Sequence, residues 1–305
     1  MTVIELANDV RAALDNGGPV VALESTIISH GLPHPDNLEA AREFESLVRA
    51  HGATPATIAV VDGVARVGLS DEQLELIASN PEVEKLSVRD LPIVMAKSGH
   101  GATTVAATSY LAARAGIRVF ATGGLGGVHQ GAQESFDESA DLTTLAHTPV
   151  AVVSAGVKSV LDIQATLERL ETLGVPVLGF GTDVFPRFWL PRSDFPVDHR
   201  VDSAEDVAAV IEHADQLGLT SGMVVANPIP DDQAWHPEDH DRFVAEAFTA
   251  AETAGIRGKE VTPFLLDFIQ RASGGDSLRV NLDVVRNNIR VASAIAIELA
   301  RRSHR

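Results

Sequence analysis

The sequence predicts an α/β fold, in which helices are layered on a parallel or mixed sheet. Two observations lead to this class. Short apolar runs bounded by glycine or proline alternate with segments of helical periodicity, and from about Trp235 the chain is nearly all helical. Strands that alternate with helices favour this layered arrangement. No internal repeat or low-complexity linker interrupts the pattern, so we expect a single domain over residues 1–305.

The individual elements follow from local signals. The first segment, "MTVIELANDVRAALDNGG", is predicted to be an acidic amphipathic helix. Asp62-Gly63 is typical of a hairpin turn, and Ser70 is a typical N-cap for a helix through Ala78. Helical spacing predicts a further helix that begins near Lys158 and ends at Gly174. The remaining predicted strands are "PVVALEST", "IRVFATGG", "VAVVSAG", "VPVLGF" and "GMVVANP"; the extended segment is "KLSVRDLPIVMAK"; the helices are "PDNLEAAREFESLVRAHG", "TTVAATSYLAARAG" and residues 203–217.

Composition excludes several classes of function. The formal net charge is −18, which argues against a nucleic-acid partner because phosphate backbones are held by basic patches. The chain contains no cysteine, which excludes disulfides, zinc–thiolate sites and cysteine nucleophiles. We find no signal-peptide pattern and no apolar run of the roughly 20 residues that span a membrane. We therefore expect a soluble cytoplasmic protein with no membrane partner.

Lysine is rare in this chain. Of 24 basic residues, only Lys85, Lys97, Lys158 and Lys259 are lysines. A genome that favours arginine codons explains the bias, but lysine can lose its proton at usable pH and arginine cannot. Each lysine is thus a candidate for chemistry that arginine cannot perform.

Two of the candidate residues follow apolar strands, where ligands bind in such folds. Glu24 ends the apolar run "VALE". If this residue is partly buried, its carboxyl would have a raised pKa and could serve as a general acid. It could equally cap a backbone turn. Lys158 follows "VAVVSAG". At a helix start its amine would be favoured in the neutral form, which adds to carbonyl-like carbon.

Two glycine-containing loops offer further candidates. "GHGATTVAAT", Gly99 to Thr108, could hold an anion on the N–H groups at a helix start, or could simply be a threonine-capped helix. "ATGGLGGVHQGA", Ala121 to Ala132, lacks the spacing of a dinucleotide-binding loop, so we exclude NAD. His129 in this loop could contact a phosphate or be structural.

Polar residues in two later segments could also bind ligands. Asp137, Glu138 and Asp141 form either a solvated acidic turn or a site for a hard divalent cation held by carboxylates and waters. Arg279 and Asn281, after Gly274-Gly275, could close over a ligand or simply begin the last helix.

At these residues the sequence resembles the pseudouridine-5'-phosphate glycosidase family, also called pseudouridylate synthase, whose relatives include indigoidine-cluster proteins. The resemblance runs in order from about Glu24 to Asn288. The matching stretches are "ALESTIISHGLP", "GATTVAAT", "GIRVFATGGLGGVH", "FDESADL", "SAGVKSVLD", "VVANPIP", "TPFLL" and "GGDSL".

The resemblance implies a homotrimer with an α/β/α fold that reversibly cleaves pseudouridine 5'-phosphate to uracil and ribose 5-phosphate. It implies that Lys158 is the Schiff-base lysine, that Glu24 is the general acid, and that Asp137 binds one Mn²⁺ per subunit, with Mg²⁺ or another divalent ion as alternatives. The substrate contacts that it implies are Lys85, Val105, His129, Ser139, Ala140, Asp141 and Asn281. It does not settle whether Lys97 or Arg279 contacts the substrate.

Two alternatives remain open at this stage. The chain could be a related C-glycoside or sugar-phosphate lyase of secondary metabolism that acts on another base, with Lys158 still essential. It could instead be a non-enzymatic regulator that binds a sugar phosphate.

Overall fold

The computed structural model describes residues 3–257 and 261–303. Lys259 lies outside the described residues. The strands are β1 (Ile4–Leu6), β2 (Val20–Leu23), β3 (Thr54–Val61), β4 (Val64–Val67), β5 (Glu84–Leu86), β6 (Gly101–Thr103), β7 (Val119–Ala121), β8 (Val128–His129), β9 (Ala151–Ser154), β10 (Leu161–Asp162), β11 (Val177–Phe180), β12 (His199–Val201) and β13 (Met223–Ala226).

An eleven-stranded sheet forms the centre of the molecule, in the order β1-β4-β3-β2-β7-β9-β13-β11-β12, with β5 and β6 joined beside β3. From β3 to β12 every neighbouring pair is parallel. Within this sheet, as far as residues 3–257 and 261–303 describe it, antiparallel pairs occur only where β3 meets β4 and β6, so the sheet is mixed at one side. A separate two-stranded sheet pairs β8 with β10.

Helices cover this sheet, and a π-helical turn spans Ile27–Gly31. Among the described residues, no helix is both long and apolar enough to cross a membrane. The helices are α1 (Asn8–Asp15), α2 (Asp36–Ala50), α3 (Asp71–Ser79), α4 (Leu91–Ala96), α5 (Val105–Ala115), α6 (Ala132–Ser135), α7 (Ala140–Leu145), α8 (Ile163–Thr172), α9 (Ala204–Gln216), α10 (Pro237–Thr253), α11 (Val261–Ala272) and α12 (Asp276–Ser303).

Both faces of the central sheet are buried. On β2, Val20 and Ala22 join the core that includes residues of α5, whereas Val21 and Leu23 join the core that includes residues of α12. Strands that are covered on both faces are apolar at every position, because neither face meets water. This explains why the sequence shows continuous apolar runs instead of alternation. The predicted α/β/α class, with a mostly parallel sheet and a helical C-terminal region, is confirmed.

Two turn and cap predictions are confirmed. Asp62 and Gly63 both have positive φ, 52° and 72°, which is the backbone of a tight hairpin turn between β3 and β4. Ser70 is the N-cap of α3, where its hydroxyl accepts from the Gln73 N–H and the Gln73 side chain bonds back to the Ser70 N–H. The Ser70 cap is therefore local, whereas the Asp62-Gly63 turn is also held by distant residues, since the Asp62 N–H donates to His100 Nδ1 at 3.2 Å and the Gly63 N–H to the Gly99 carbonyl oxygen at 2.9 Å.

Three predictions about secondary structure are wrong in part. The N-terminal segment begins with β1, which pairs with β4, before the helix α1. The segment predicted as extended contains the helix α4, because Asp90 accepts from the Ser87 N–H in a turn and Pro92 suits the first turn of a helix. The helix predicted from Lys158 begins only at Ile163.

Candidate active site

The carboxyl ends of three neighbouring strands bring the candidate residues together. In the sheet, Leu23 of β2 lies opposite Ala121 of β7, and Ala121 lies opposite Val153 of β9. Glu24 is the next residue after β2, and Lys158 follows β9 by four residues. The edge at which parallel strands end is where ligands bind in α/β folds.

Two cavities that share lining residues lie at this edge. The larger measures about 370 Å³ and the smaller about 80 Å³. Five residues line both: Glu24, Thr26, Lys85, Lys158 and Thr262. The other candidates line one of them. The larger cavity is lined by Val105, His129, Asp137, Ser139, Ala140 and Asp141, and the smaller by Asn281. The structure thus gathers all ten candidate residues around one site.

Glu24 is buried, with 9% of its surface exposed. The Thr122 hydroxyl donates to its Oε1 and the Thr26 hydroxyl donates to its Oε2. Thr122 is the first residue after β7, so its hydroxyl reaches Glu24 from the neighbouring strand. Two donors that hold both oxygens fix the plane of the carboxyl group. The alternative, in which Glu24 caps a backbone turn, has no such bond among the hydrogen bonds of the described residues.

Lys158 lies in a loop that runs beside the glycine loop after β7. Its backbone N–H donates to the Leu125 carbonyl oxygen at 3.0 Å, and the Leu125 N–H donates to the Gly156 carbonyl oxygen at 3.0 Å. Gly156 has φ of 81°, and a Cβ there would collide with the Pro186 carbonyl oxygen. These pairings delay the helix: α8 is capped by Asp162, four residues beyond Lys158. Lys158 is therefore not at the start of a helix, contrary to the expectation from the sequence.

Asp141 joins the two glycine-containing loops. It is 5% exposed, and its carboxylate oxygens accept from the Ala106 N–H of α5 and the Gly126 N–H, each at 2.8 Å. Thr104 caps the same end of α5. The predicted anion loop is therefore a threonine-capped helix whose N-terminus holds a carboxylate of the protein itself. A side chain on Gly126 would collide with Asp141 and Ser139, which explains this glycine.

The three acidic residues of the "FDESADL" segment are not equivalent. Asp141 is bonded to backbone as described, and Glu138 accepts from the Arg169 guanidinium at 2.9 Å. The Asp137 carboxylate is one-third exposed and lies 3.9 Å from the His129 imidazole. Among the described residues, no three His, Asp or Glu side chains cluster so as to hold a metal ion. Asp137 is thus the carboxylate of this segment that remains available in the larger cavity.

His129 is held beside Asp137 by the backbone, because its N–H donates to the Asp137 carbonyl oxygen at 3.0 Å. Burial lowers the pKa of its imidazole, although the Asp137 carboxylate opposes the shift. The positive charges of Lys158 and Lys85 lower the pKa further. We therefore expect a neutral imidazole at pH 7, able to donate from one nitrogen and accept at the other.

Lys85 brings a second positive charge to the site. It lies on β5, and its charge adds to burial in lowering the pKa of His30, which lines the smaller cavity. Arg89 also lines the larger cavity. Two other basic residues lie outside both cavities. Lys97 is the C-cap residue of α4, and Arg279 pairs with Asp283 at 3.3 Å. The larger cavity therefore has the cations that a sugar phosphate requires.

Helix α12 forms one wall of the smaller cavity through Asn281 and Val285. The indole N–H of Trp189 donates to the Asn281 Oδ1. Because an indole can only donate, this contact fixes which end of the amide is the oxygen and leaves the NH₂ group for another acceptor. Phe188 also lines this cavity, which makes it the more apolar of the two.

Sequence reasoning missed several residues of the site, among them Thr26, Arg89, Thr122, Phe188 and Thr262. Thr26 lies two residues after Glu24 and could have been found from that spacing. Thr122 lies in the glycine-containing loop Ala121 to Ala132, and Thr262 begins the matching stretch "TPFLL", so both belong to segments that had been noted. Nothing in the local sequence of Phe188 indicates the site.

A buried glutamate and a lysine that share a cavity at the ends of parallel strands are the arrangement of an α/β enzyme. The chain belongs to the family of indigoidine synthase A like proteins, which it matches over residues 9–298. A curated pseudouridine-5'-phosphate glycosidase of Frankia alni is 61% identical over 297 residues, which cover 97% of this chain and 82% of the relative.

Two solved structures share the fold. The prealnumycin C-glycosynthase AlnA, in complex with ribulose 5-phosphate, superposes with a TM-score of 0.92 at 37% identity over all of both chains. An indigoidine synthase A-like protein of Thermotoga maritima superposes with a TM-score of 0.88 at 35% identity, covering 98% of this chain and 97% of that one.

Proposed function

We propose that this protein is a pseudouridine-5'-phosphate glycosidase, which reversibly cleaves the C–C glycosidic bond to give uracil and ribose 5-phosphate. One observation carries the proposal: Lys158 and Glu24 line the same cavities in a chain that is 61% identical to a protein of that name. Membership of the family and the shared fold of a C-glycosynthase support the same chemistry.

The two cavities differ in a way that suits the two parts of this substrate. Lys85 and Arg89 at the larger cavity would attract the phosphate and bring the sugar with it. Phe188 and Asn281 at the smaller cavity would receive the base, with the Asn281 NH₂ group donating to a carbonyl oxygen of the ring. Glu24 and Lys158 line both cavities and would thus lie at the bond between sugar and base.

The residues support a covalent route. Glu24 donates a proton to the ribose ring oxygen, and the ring opens as electrons from the uracil ring form a double bond between C5 and C1'. The Lys158 amine then adds to C1', and Glu24, now ionised, accepts the proton that the amine loses. Both hydroxyls on Glu24 can rotate, so its carboxyl remains fixed in either protonation state.

Cleavage of the carbon–carbon bond follows. Glu24 delivers the proton that it took from the amine to C5 of the base, and the nitrogen lone pair of Lys158 forms an iminium bond to C1' as the C1'–C5 bond breaks. The electrons of the C1'–C5 bond restore neutral uracil. Water hydrolyses the iminium, which releases ribose 5-phosphate and the free amine, and the proton released in this step returns to Glu24. Covalent catalysis replaces one difficult step, the departure of a carbanion, with several easier ones.

We further propose that Asp137 holds one Mn²⁺ per subunit, with Mg²⁺ as a substitute. The fit rests on one carboxylate, since Asp137 lines the larger cavity and is one-third exposed, and a hard ion held by one carboxylate would keep several waters. Such an ion would orient water and neutralise negative charge. We also propose a cytoplasmic homotrimer, as the resemblance implies; light scattering of the purified protein measures the subunit number.

The direct test is synthesis. The protein is incubated with uracil, ribose 5-phosphate and Mn²⁺, and the product is identified as pseudouridine 5'-phosphate by mass spectrometry and chromatography. A protein that leaves uracil unchanged but joins another aromatic acceptor to the sugar phosphate would instead be a C-glycosynthase of the kind that shares its fold.

Reduction by borohydride tests the role of Lys158. With ribose 5-phosphate present, we expect a sugar-phosphate adduct on Lys158. Lys158→Arg should abolish both adduct and turnover, because arginine cannot form the imine. Lys97→Arg is the matched control, since Lys97 lines neither cavity, and it should react as the wild type does. An adduct on Lys85 or Lys97 would contradict the assignment.

A further inference from the structure

Asn288 lies in α12 and is fully buried. A buried amide without partners is costly, so its hydrogen bonds identify the groups that it holds. Its Nδ2 donates to the Thr122 carbonyl oxygen at 2.7 Å, with the Gly123 carbonyl oxygen at 3.3 Å. Its Oδ1 accepts from the Asn227 amide at 2.9 Å. The side chain therefore ties α12 to the residues that follow β7 and β13.

The residues after β7 face the active site. The Thr122 hydroxyl donates to Glu24, and Gly123 lines the smaller cavity. The Thr122 backbone is held on one side by its own N–H, which donates to the Val153 carbonyl oxygen at 3.1 Å. Asn288 holds the other side, through the carbonyl. The position of the hydroxyl on Glu24 thus depends on Asn288.

Asn227 is the hydrogen-bond partner of the Asn288 side-chain oxygen. Its backbone N–H donates to the Ser154 carbonyl oxygen at 2.8 Å, which anchors it to β9. The carbonyl oxygens of Thr122 and Gly123 can only accept, so the Asn288 NH₂ must point toward them. The Asn288 oxygen then faces Asn227, whose NH₂ group donates to it.

We propose that Asn288 is a positioning residue for the general acid, which it orients through the Thr122 backbone and hydroxyl. This inference rests on the proposed function, because it gives Asn288 a part in that reaction. Asn288 itself lines neither cavity, so it acts on turnover and not on binding. A buried amide kept for stability alone would change unfolding and leave the turnover of the folded enzyme as it was.

The adjacent asparagine provides a matched control. Asn287 has the same side chain at the next position, is half-buried, and donates to the Pro228 carbonyl oxygen at 3.0 Å, away from Glu24. We compare Asn288→Ala with Asn287→Ala, measuring kcat and KM for cleavage of pseudouridine 5'-phosphate on protein shown by circular dichroism to be folded. For Asn288→Ala we expect kcat to fall by about 100-fold, the scale of a misplaced catalytic group, with KM within about twofold. For Asn287→Ala, we expect both constants to change less than about twofold.

A double-mutant cycle tests the route through Thr122. Thr122→Val removes the hydroxyl that bonds Glu24 and keeps the shape of the side chain. If Asn288 acts through this hydroxyl, the double variant Asn288→Ala/Thr122→Val should lose little more activity than Thr122→Val alone. Asn287→Ala combined with Thr122→Val should instead show additive effects.

Several outcomes would overturn the proposal. One is a folded Asn288→Ala enzyme with the kcat of the wild type; another is full additivity with Thr122→Val. If Asn288→Ala does not fold, Asn227→Ala decides, because release of the Asn288 amide should lower kcat in the same direction. A wild type that does not cleave the substrate would refute the proposed function and this inference together, whereas an active wild type with a normal Asn288→Ala refutes the inference alone.

Discussion

Replacement of Asp141 by asparagine measures how strongly one buried carboxylate holds two loops together. Each oxygen of Asp141 accepts one backbone N–H at 2.8 Å, from Ala106 and from Gly126. Asparagine keeps one acceptor but turns an NH₂ group toward the other N–H, so a buried donor loses its partner. A hydrogen bond to a charged group contributes about 1.5–3 kcal/mol, and an unpaired buried donor costs about 1–3 kcal/mol. We expect the free energy of unfolding to fall by about 2–4 kcal/mol.

Urea denaturation, followed by circular dichroism, measures this change. Glu138→Gln is the control, because Glu138 lies in the same segment and its pair with Arg169 is about one-third exposed on each side. Pairs this exposed contribute about 1 kcal/mol or less. Equal losses of stability in Asp141→Asn and Glu138→Gln would refute the reasoning, since they would show that the two backbone bonds contribute no more than a surface pair.

Two further predictions concern the Lys158 loop and a buried histidine. In Gly156→Ala the new methyl group would collide with the Pro186 carbonyl oxygen, and alanine is also unfavourable at the positive φ of this position. We therefore expect less borohydride trapping at Lys158, even in folded protein. Unchanged trapping would contradict this account. Burial lowers the pKa of the His240 imidazole from its usual value of 6.5, although the neighbouring Asp241 opposes the shift. As the pH falls through 6.5, His240 therefore gains its proton in the unfolded chain before it does so in the folded chain. The free energy of unfolding should therefore decrease as pH falls below 6.5, and His240→Leu should flatten that slope in denaturation series at pH 5 to 7.

Local sequence was sufficient where neighbouring residues decide the structure. The Ser70 cap uses atoms within three residues of each other, and Asp62-Gly63 is a turn dipeptide in its own right, although its N–H groups also bond residues 99 and 100. Both features could be predicted. The helix predicted from Lys158 was wrong because residues 157–162 have helical spacing but pair with the loop after β7. Lys158 bonds Leu125, which lies 33 positions earlier. Periodicity contains no information about such a partner.

The active site shows the same division on a larger scale. The placement of Glu24 and Lys158 at one edge of the sheet could be predicted, because each follows an apolar strand and parallel strands end at one edge. The residues that orient these side chains could not be predicted, because their positions depend on the order β2-β7-β9-β13 in the sheet. That order places Thr122, 98 positions from Glu24, within reach of its carboxyl, and places Asn227 where its NH₂ group donates to Asn288.

This strand order also separates the residues of the proposed chemistry from the cavity proposed for the base. Glu24 and Thr122 immediately follow paired strands, so the position of the proposed acid is set by the centre of the sheet. The smaller cavity is instead completed by Phe188, in the loop after β11, and by Asn281 on α12. Loops and helix faces can change without altering the sheet. A fold of this kind can therefore keep one mechanism for breaking a C-glycosidic bond while the cavity for the departing group is reshaped.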